Sequence, residues 1–217
     1  MSTGNGSERR RRTTLGRRAV LFDLDGTLVE MRDLHWQALN LALVEHRQFP
    51  IPYGVHISEY DGLPTSRKLE MLGAPLDLRA AISSKKQDYT LELVKGLRPD
   101  VRLNRELEHI GKEATLCVVS NALLSTCVAV LLRTGIGKYV HMLIAGPHEK
   151  GKPHPEPYLK ALSAGHLDPG DCVAVEDNHY GVEAAERAGL RCLRVSGPCE
   201  ITYHRVMSMF PIEIQFA

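Results

Sequence analysis

The sequence has almost no surplus of charge of either sign. Its 27 Lys and Arg residues are balanced by 26 Asp and Glu residues, which leaves a formal net charge of +1 at pH 7. A dedicated nucleic-acid-binding protein needs a basic excess to neutralise phosphates, so we expect no nucleic acid among the partners. The 18 glycines and 12 prolines are too few for a low-complexity chain. The composition is instead typical of a globular protein with a sizeable core.

Cysteine is scarce, and its spacing forms no metal-binding or redox pattern. The five cysteines are odd in number and include no C-x-x-C pair, which argues against a disulfide framework and against a zinc site. Three of them lie in short apolar runs, where a thiol behaves as a small hydrophobic group. We therefore expect a reducing compartment and a cytoplasmic location.

Long hydrophobic runs are also missing. The longest uncharged stretch, residues 116–132, has 17 residues and is interrupted by serine, threonine and asparagine. We therefore expect no membrane span and no membrane partner. The first apolar run, residues 19–22, ends at Asp23 and is too short for a signal peptide.

The N-terminal segment differs in composition from the remainder of the chain. Residues 1–16 are rich in Ser, Gly, Thr and Arg, with four consecutive arginines at 9–12. We predict that they form a disordered tail, with a nucleic-acid arm or an organellar presequence as the alternatives. Because the tail holds these arginines, the ordered part of the chain is expected to be net acidic.

Five short apolar runs after residue 17 predict buried strands. Helix-like segments at 123–133, 155–164 and 181–188 separate the last four runs, which indicates a parallel sheet covered on both faces. The strands are expected at residues 19–22, 115–119, 142–145, 172–175 and 190–195.

About ninety residues with helical periodicity separate the first two predicted strands. This is too long for one crossover connection, so we predict a helical domain inserted after the first strand. We place this insert at residues 31–102 and the sheet domain at residues 17–30 and 103–217.

Two acidic residues follow the first predicted strand, in Asp23-Leu24-Asp25-Gly26. Ligands of open parallel sheets bind beyond the carboxyl ends of the strands, where this segment falls. The two acids are suited either to share a metal ion or to divide nucleophile and acid–base roles. Gly26 permits a sharp turn whose backbone N–H groups face an anion. A surface pair of acids is the alternative.

Polar residues follow the other predicted strands as well. Ser120 and Asn121 offer a hydroxyl and an amide to a phosphoryl oxygen, although both residue types are also common helix N-caps. Lys152, stiffened by the proline after it, is able to neutralise a phosphate and a carboxylate together. Glu176 and Asp177 suit Mg²⁺, which prefers oxygen ligands. Each motif alone has a solvated side chain as its alternative, but together they predict an active site.

These motifs resemble the haloacid dehalogenase-like superfamily, and more closely its subgroup with a helical cap inserted after the first strand. That subgroup includes sugar-phosphate phosphatases and β-phosphoglucomutase. The resemblance covers about residues 17–195 and implies an α/β fold, with a Rossmann-like three-layer parallel-sheet core and a small helical cap domain. It places the first strand at the centre of the sheet, between the second and the fourth. Glu30-Met31, at the hinge into the cap, departs from the family pattern of Asp followed by Thr or Ser.

The resemblance implies a magnesium-dependent phosphatase that acts on a small phosphorylated metabolite, with sugar phosphates among the candidates. Asp23 would attack phosphorus and form an aspartyl-phosphate. Asp25 would protonate the leaving oxygen and then take a proton from the attacking water. The magnesium ligands would be Asp23, the backbone carbonyl of Asp25, Asp177, and Glu176 directly or through water.

The resemblance also implies which residues bind the phosphoryl group. Thr27, Ser120 and Lys152 would hold its oxygens, with Asn121 beside them. Lys152 would in addition orient Asp23.

Three residues of the predicted cap are candidate substrate contacts. His35 matches a recurring histidine at the entry to the cap, and packing near the hinge is its alternative. Thr65 and Arg67 lie in a loop that faces the active site in the family, and solvated positions at a helix start are their alternative. No feature marks any of the cap lysines, at positions 68, 85, 86 and 95, as a Schiff-base nucleophile. We expect most of these lysines to be exposed, which disfavours phosphonate cleavage.

Two other functions stay open. A phosphosugar mutase of the β-phosphoglucomutase type would use the same core and return the phosphoryl group to a sugar, although Thr27 after Gly26 favours a phosphatase. A non-catalytic binding protein is disfavoured because the acid pair, Lys152 and Asp177 are all present. In either enzyme the partner is a small phosphorylated metabolite, and we expect a monomer or a weak dimer.

Overall fold

The structure is a computed structural model that describes residues 18–211. The predicted tail at residues 1–16 therefore lies outside the described residues, as do residue 17 and residues 212–217 of the predicted core. The chain forms one five-stranded sheet whose paired strands are all parallel. Its strands are β1 (Ala19–Phe22), β2 (Thr115–Leu123), β3 (Met142–Gly146), β4 (Cys172–Glu176) and β5 (Arg191–Arg194).

The strand order is β3-β2-β1-β4-β5, so β1 is central, between β2 and β4. Phe22 at the end of β1 lies opposite Val118 of β2 and Val175 of β4. The polar residues that follow these three strands therefore meet at one edge of the sheet. All five predicted strands are confirmed. β2 is longer than predicted because its chain stays extended beyond the apolar run, with a register irregularity between Ser120 and Leu123.

Nine helices are present in residues 18–211, four of them before β2 and the fifth leading into it. None of them is both long and apolar enough to cross a membrane. The helices are α1 (Arg32–Glu45), α2 (Tyr53–Val55, followed by a π-helical turn at His56–Tyr60), α3 (Thr65–Met71), α4 (Leu76–Val94), α5 (Val101–Gly111), α6 (Leu124–Thr134), α7 (Glu156–Gly165), α8 (His179–Arg187) and α9 (Tyr203–Met207).

Helices cover the sheet on both faces because the side chains of each strand alternate. Val20 and Phe22 of β1 point to one face, where they pack in a cluster that includes Leu107 of α5. Leu21 points to the other face and packs in a cluster with Tyr158 of α7. The result is the Rossmann-like three-layer arrangement that the sequence predicts, and this prediction is confirmed.

Helices α1, α3 and α4 form a separate hydrophobic cluster. Leu43 of α1 packs there with Leu69 of α3 and Ile82 of α4. Helix α5 instead packs against the sheet through Leu103 and Leu107. The predicted limit between cap and core, after residue 102, therefore falls inside the first turn of α5, and by its packing the whole helix lies with the sheet. The domain limits at residues 31 and 102 stay a prediction.

The segment after β5 completes one face of the core. Val206 of α9 and Phe210 are buried in the same cluster as α5. The guanidinium of Arg102 on α5 donates to the backbone carbonyls of Pro198 and Ile201, at 2.5 Å and 2.9 Å. This segment thus holds α5 in place, a role that its sequence pattern does not indicate.

The expected cytoplasmic location and the expected monomer or weak dimer stay predictions.

The packing of α5 predicts a large difference between two leucine substitutions. Leu107 is 1% exposed, and Leu132 on α6 is 74% exposed. We expect Leu107→Ala to lower the free energy of unfolding by about 2–5 kcal/mol, because it leaves a cavity beneath the sheet. Leu132→Ala, the matched control, should change it by less than about 0.5 kcal/mol. Urea denaturation measures both, and equal effects would contradict the assignment of α5 to the core.

Candidate active site

A cavity of about 870 Å³ lies between the carboxyl ends of β1, β2 and β4 and the helices α1, α3 and α4. The loop after β3 completes its wall. The predicted site residues that line the cavity are Asp23, Asp25, His35, Thr65, Ser120, Asn121, Lys152 and Asp177. The residues that follow the strands thus meet at one edge of the sheet, as the sequence predicts, and His35 and Thr65 face them from the cap.

Lys152 is the central cation of the site. Its Nζ contacts Asp23 Oδ1 at 2.6 Å, Glu176 Oε1 at 2.6 Å and the backbone carbonyl of Val119 at 2.7 Å. Burial alone would lower the pKa of Lys152, but the charges of Asp23 and Glu176 raise it above its ordinary value. The side chain, 4% exposed, is therefore a permanent ammonium group.

Asn121 fixes the backbone that carries this lysine. Its Oδ1 accepts a hydrogen bond from the backbone N–H of Lys152 at 3.0 Å, and its Nδ2 donates to the backbone carbonyl of Lys152 at 3.3 Å. The amide was predicted to bind a phosphoryl group. In this structure it joins the end of β2 to the loop after β3.

Three carboxylates form a cluster beside Lys152. Ligand atoms of Asp23, Glu176 and Asp177 all lie within 4.8 Å of one another. Burial raises the pKa of Asp23 well above its usual range, and the charges of Glu176 and Asp25 add to this effect against the opposing charge of Lys152. Oε2 of Glu176 is buried without a hydrogen-bond partner in residues 18–211. The cluster therefore offers several carboxylate oxygens, one of them without a hydrogen-bond partner, and its negative charge exceeds that of the single lysine. Oxygen ligands with this charge suit a hard divalent cation.

Two glycines let the cluster form. Gly26 has φ +92°, and a Cβ atom there would overlap the Asp177 carboxylate. A Cβ atom at Gly181, in the first turn of α8, would overlap the Glu176 carboxylate. Both positions need glycine because the backbone approaches a carboxylate so closely.

Thr27 lies in a different place from the one expected. It is fully buried, it does not line the cavity, and its hydroxyl donates to Asp177 Oδ1 at 3.2 Å. Asn178 Nδ2 donates to the same oxygen at 3.0 Å. The two hydrogen bonds orient Asp177. A direct contact between Thr27 and a phosphoryl oxygen does not fit this arrangement, because the hydroxyl is screened from the cavity.

Asp25 is held from the cap by a histidine and a lysine. His35 Nε2 lies 3.2 Å from Asp25 Oδ2, and Lys86 Nζ lies 3.3 Å from His35 Nδ1. An ammonium group only donates, so Nδ1 accepts and Nε2 carries the proton that is donated to Asp25. Burial and the charge of Lys86 lower the pKa of His35, which keeps its ring neutral. Burial alone would raise the pKa of Asp25, but His35 and Lys86 lower it below its ordinary value.

Ser120 and His148 form another part of the wall. Ser120 is 2% exposed. Its hydroxyl oxygen accepts a hydrogen bond from the backbone N–H of Ala122 at 3.0 Å. His148 Nε2 donates to the backbone carbonyl of Ser120 at 2.9 Å. Both side chains line the cavity, so the hydroxyl is placed where the sequence predicts it.

The cap contacts differ from expectation at one position. Thr65 lines the cavity, but Arg67 does not. The Arg67 guanidinium is half exposed and pairs with Glu70 at 2.6 Å, on the outer side of α3. Its helical position, two residues beyond Thr65, turns it away from the cavity. The prediction of a substrate contact for Arg67 is therefore not supported by its position.

Comparison with known proteins agrees with this geometry. The profile of the haloacid dehalogenase-like hydrolases matches residues 20–195. The chain belongs to this family. It is 30% identical over 180 residues to a phosphorylated carbohydrates phosphatase of Thermotoga maritima, over 79% of this chain and 82% of the relative. It is 28% identical over 192 residues to the beta-phosphoglucomutase of Bacillus subtilis, over 80% of each chain.

A solved structure of the same haloacid dehalogenase-like hydrolase fold is similar over most of its length. The crystal structure of CbbY from Rhodobacter sphaeroides in complex with phosphate matches with a TM-score of 0.73 at 26% identity. The match covers 83% of this chain and 87% of that chain. The resemblance predicted from the motifs is confirmed.

The sequence alone did not predict that four further side chains belong to this hydrolase site. Tyr158 on α7 donates to Glu176 Oε1 at 2.5 Å, and His148, Lys68 and Lys86 line the cavity. The prediction that most cap lysines are exposed is wrong, because only Lys95 of the four is exposed. Lysines on a helix usually indicate its solvent-exposed face. Here Lys68 and Lys86 point into the cavity instead.

The close approach at Gly181 generates a test of the carboxylate cluster. We expect Gly181→Ala to lower the free energy of unfolding by about 1–3 kcal/mol, because the new methyl group pushes Glu176 away from its buried partners. Gly54→Ala is the matched control, since a Cβ atom at Gly54 meets no other atom within 4 Å. Thermal denaturation measures both variants. A Gly181→Ala protein as stable as Gly54→Ala would contradict the described position of the Glu176 carboxylate.

Proposed function

We propose that the protein is a magnesium-dependent phosphatase that hydrolyses a small phosphorylated metabolite through an aspartyl-phosphate on Asp23. The observation that carries this proposal is the position of Asp23, which is held by the buried ammonium group of Lys152 at the floor of a cavity shared by core and cap. A carboxylate fixed in this way points its free oxygen at a bound phosphoryl group. The same lysine is able to balance charge that develops during the transfer.

Asp23 and Asp25 have different environments, which supports different roles. Asp23 contacts a cation and two carboxylates, whereas Asp25 contacts a neutral histidine. The raised pKa of Asp23 reflects burial among acids, and a divalent cation in the cluster would reverse this effect. Asp23 would then be ionised and nucleophilic.

Magnesium fits the cluster because every available donor is an oxygen. Asp23 and Asp177 would hold it, Glu176 would do so directly or through water, and Asp25 would contribute its backbone carbonyl. When bound, the ion supplies positive charge next to the phosphoryl oxygens and lowers the repulsion between them and the carboxylates. Thr27 and Asn178 support this role, since they fix one oxygen of Asp177 and orient its carboxylate.

Asp25 would move the proton in both halves of the reaction. The negative charge of a bound phosphoryl group would raise the pKa of Asp25 from its lowered value, so that Asp25 holds a proton in the complex. In the first half, Asp23 Oδ bonds to phosphorus, the ester P–O bond breaks, and Asp25 gives its proton to the leaving oxygen. In the second, water attacks phosphorus and gives a proton to Asp25, which releases phosphate and restores both carboxyl groups. His35 is a positioning residue for Asp25, through the hydrogen bond at 3.2 Å.

The remaining features support a small substrate. Ser120 would bind a phosphoryl oxygen, and Thr65 and His35 would face the organic part from the cap. The cavity lies between the strand ends of the core and the helices of the cap, so a substrate bound in it would be shielded from much of the bulk water. The similarity to a phosphatase of phosphorylated carbohydrates supports sugar phosphates as candidates.

A phosphosugar mutase is the second candidate, and the similarity to a beta-phosphoglucomutase favours keeping it. Its core chemistry is the same until the second step, when a sugar hydroxyl takes the phosphoryl group instead of water. Product analysis with sugar 1-phosphates separates the two. Free phosphate supports the phosphatase, and an isomerised phosphosugar without free phosphate supports the mutase.

The nucleophile is tested by Asp23→Asn. We expect this change to abolish magnesium-dependent phosphate release across a panel of small phosphate esters, because an amide does not form the intermediate. The matched control is Asp88→Asn, on the exposed side of α4, which should keep wild-type rates. Phosphate release is measured with and without a chelator. Full activity in Asp23→Asn, or activity that persists in the chelator, would overturn the proposal.

The proton donor is tested by the choice of leaving group. We expect Asp25→Asn to reduce kcat/KM about 10²–10⁴-fold with an alkyl phosphate, whose alkoxide must be protonated as it leaves. With p-nitrophenyl phosphate the loss in the first step should be much smaller, because the phenolate leaves without a proton. Burst kinetics with the aryl ester would show accumulation of the phosphorylated protein. Equal losses with both esters would contradict a general-acid role for Asp25.

A further inference from the structure

One cation in the cavity has no part in the proposed hydrolysis. Lys68, in the first turn of α3, lines the cavity from the cap side and is 8% exposed. Lys86 lines the same wall from α4. Burial, together with the charge of Lys86, lowers the pKa of Lys68 to about 8. Two ammonium groups thus face the cavity from neighbouring helices, and their positive charges repel each other.

Lys68 has no compensating carboxylate within residues 18–211. No Asp or Glu oxygen of this part of the chain lies within 4.0 Å of its Nζ. Asp61, the acid whose charge acts on it, is engaged in an ion pair with Arg32 at 2.8 Å. The nearby His56 is fully buried, and burial and the charge of Lys68 lower its pKa to about 4, so it stays neutral.

An unpaired buried ammonium group costs free energy that a hydrophobic side chain at the same place would not. In Lys86 part of this cost is offset by the hydrogen bond to His35 at 3.3 Å. For Lys68 the described residues supply only the charge of Asp61, which is itself paired with Arg32. Within residues 18–211 no carboxylate pairs with Lys68, so an anion that enters the cavity would find an uncompensated ammonium group there.

We propose that Lys68, assisted by Lys86, binds a second anionic group of the substrate, a carboxylate or a second phosphoryl group. The proposal rests on the proposed function, which places the ester phosphate at Asp23 on the opposite wall. It narrows the substrate class to phosphate esters that carry negative charge at both ends. A cavity of about 870 Å³ is large enough for such a molecule to extend from the core to the cap.

The preference of the full chain for charged substrates tests this subsite. Two matched pairs serve as probes, in magnesium buffer: 2-phosphoglycolate against 2-hydroxyethyl phosphate, and fructose 1,6-bisphosphate against fructose 1-phosphate. We expect kcat/KM to be about tenfold or more higher for the charged member of at least one pair, mainly through KM. The first pair tests whether the subsite binds a carboxylate, and the second tests whether it binds a phosphoryl group. The two pairs therefore distinguish the two kinds of anion.

Variants assign the preference to Lys68. Lys68→Met keeps the length of the side chain and removes the charge, and it should bring the ratio between the members of the preferred pair close to one. Lys68→Arg keeps the charge and should keep most of the preference. Lys85→Met is the matched control, because Lys85 pairs with Glu45 at 3.1 Å and does not line the cavity. It should behave as the wild type.

Binding to the Asp23→Asn protein gives a readout that needs no turnover. Calorimetry should show a Kd about tenfold or more lower for the charged member of the pair, and Lys68→Met in this background should remove the difference. Equal binding of both members, or a difference that survives Lys68→Met, would overturn the subsite. A binding preference in a protein that releases no phosphate from any ester would instead overturn the proposed function and leave the subsite standing.

Discussion

The ammonium group of Lys152 joins four parts of the fold at one point. It arises from the loop after β3 and contacts Asp23 beyond β1, the carbonyl of Val119 in β2, and Glu176 at the end of β4. Because these three side chains are almost completely buried, the charge of the lysine and the charges of the two carboxylates stabilise one another. The strand order that puts β1 between β2 and β4 is what brings the three groups within reach. The same constraint requires a glycine at position 181, because the Glu176 carboxylate occupies the space that a side chain would take there.

Charge is divided between the two walls of the cavity. The core supplies carboxylates in excess of its single lysine, which suits a cation and a phosphoryl group together. The cap supplies Lys68 and Lys86 with few acids near them, and its neutral His35 reaches across to Asp25. Under the proposed function, a substrate that spans the cavity would place its ester phosphate at the core wall and its second anionic group at the cap wall.

Much of the fold could be predicted because its signals are local. Each buried parallel strand is a short apolar run, and each functional motif follows such a run directly, so strand positions and the edge of the sheet were correct for Asp23, Ser120 and Glu176. A clear apolar period shows that one face of a helix is buried, but not which domain buries it, as α5 illustrates with Leu103, Leu107 and Ile110 on one face. Helix α5 was left at the border of the predicted cap, although its packing against the sheet places it in the core. The segment that carries Phe210 had no local pattern that ties it to α5.

Side-chain direction is where the sequence alone was insufficient. The motifs by themselves determined which strands exist, where the acids and Lys152 lie along the chain, and to which family the protein belongs. Only the tertiary structure decided that Lys68 faces the cavity while Arg67, its neighbour, faces away, and that Thr27 bonds to Asp177 inside the core. The physical reason is that a strand-end motif depends on backbone order, which is local. The direction of a cap side chain depends on the rotation of its helix, which is set by packing against residues distant in the chain.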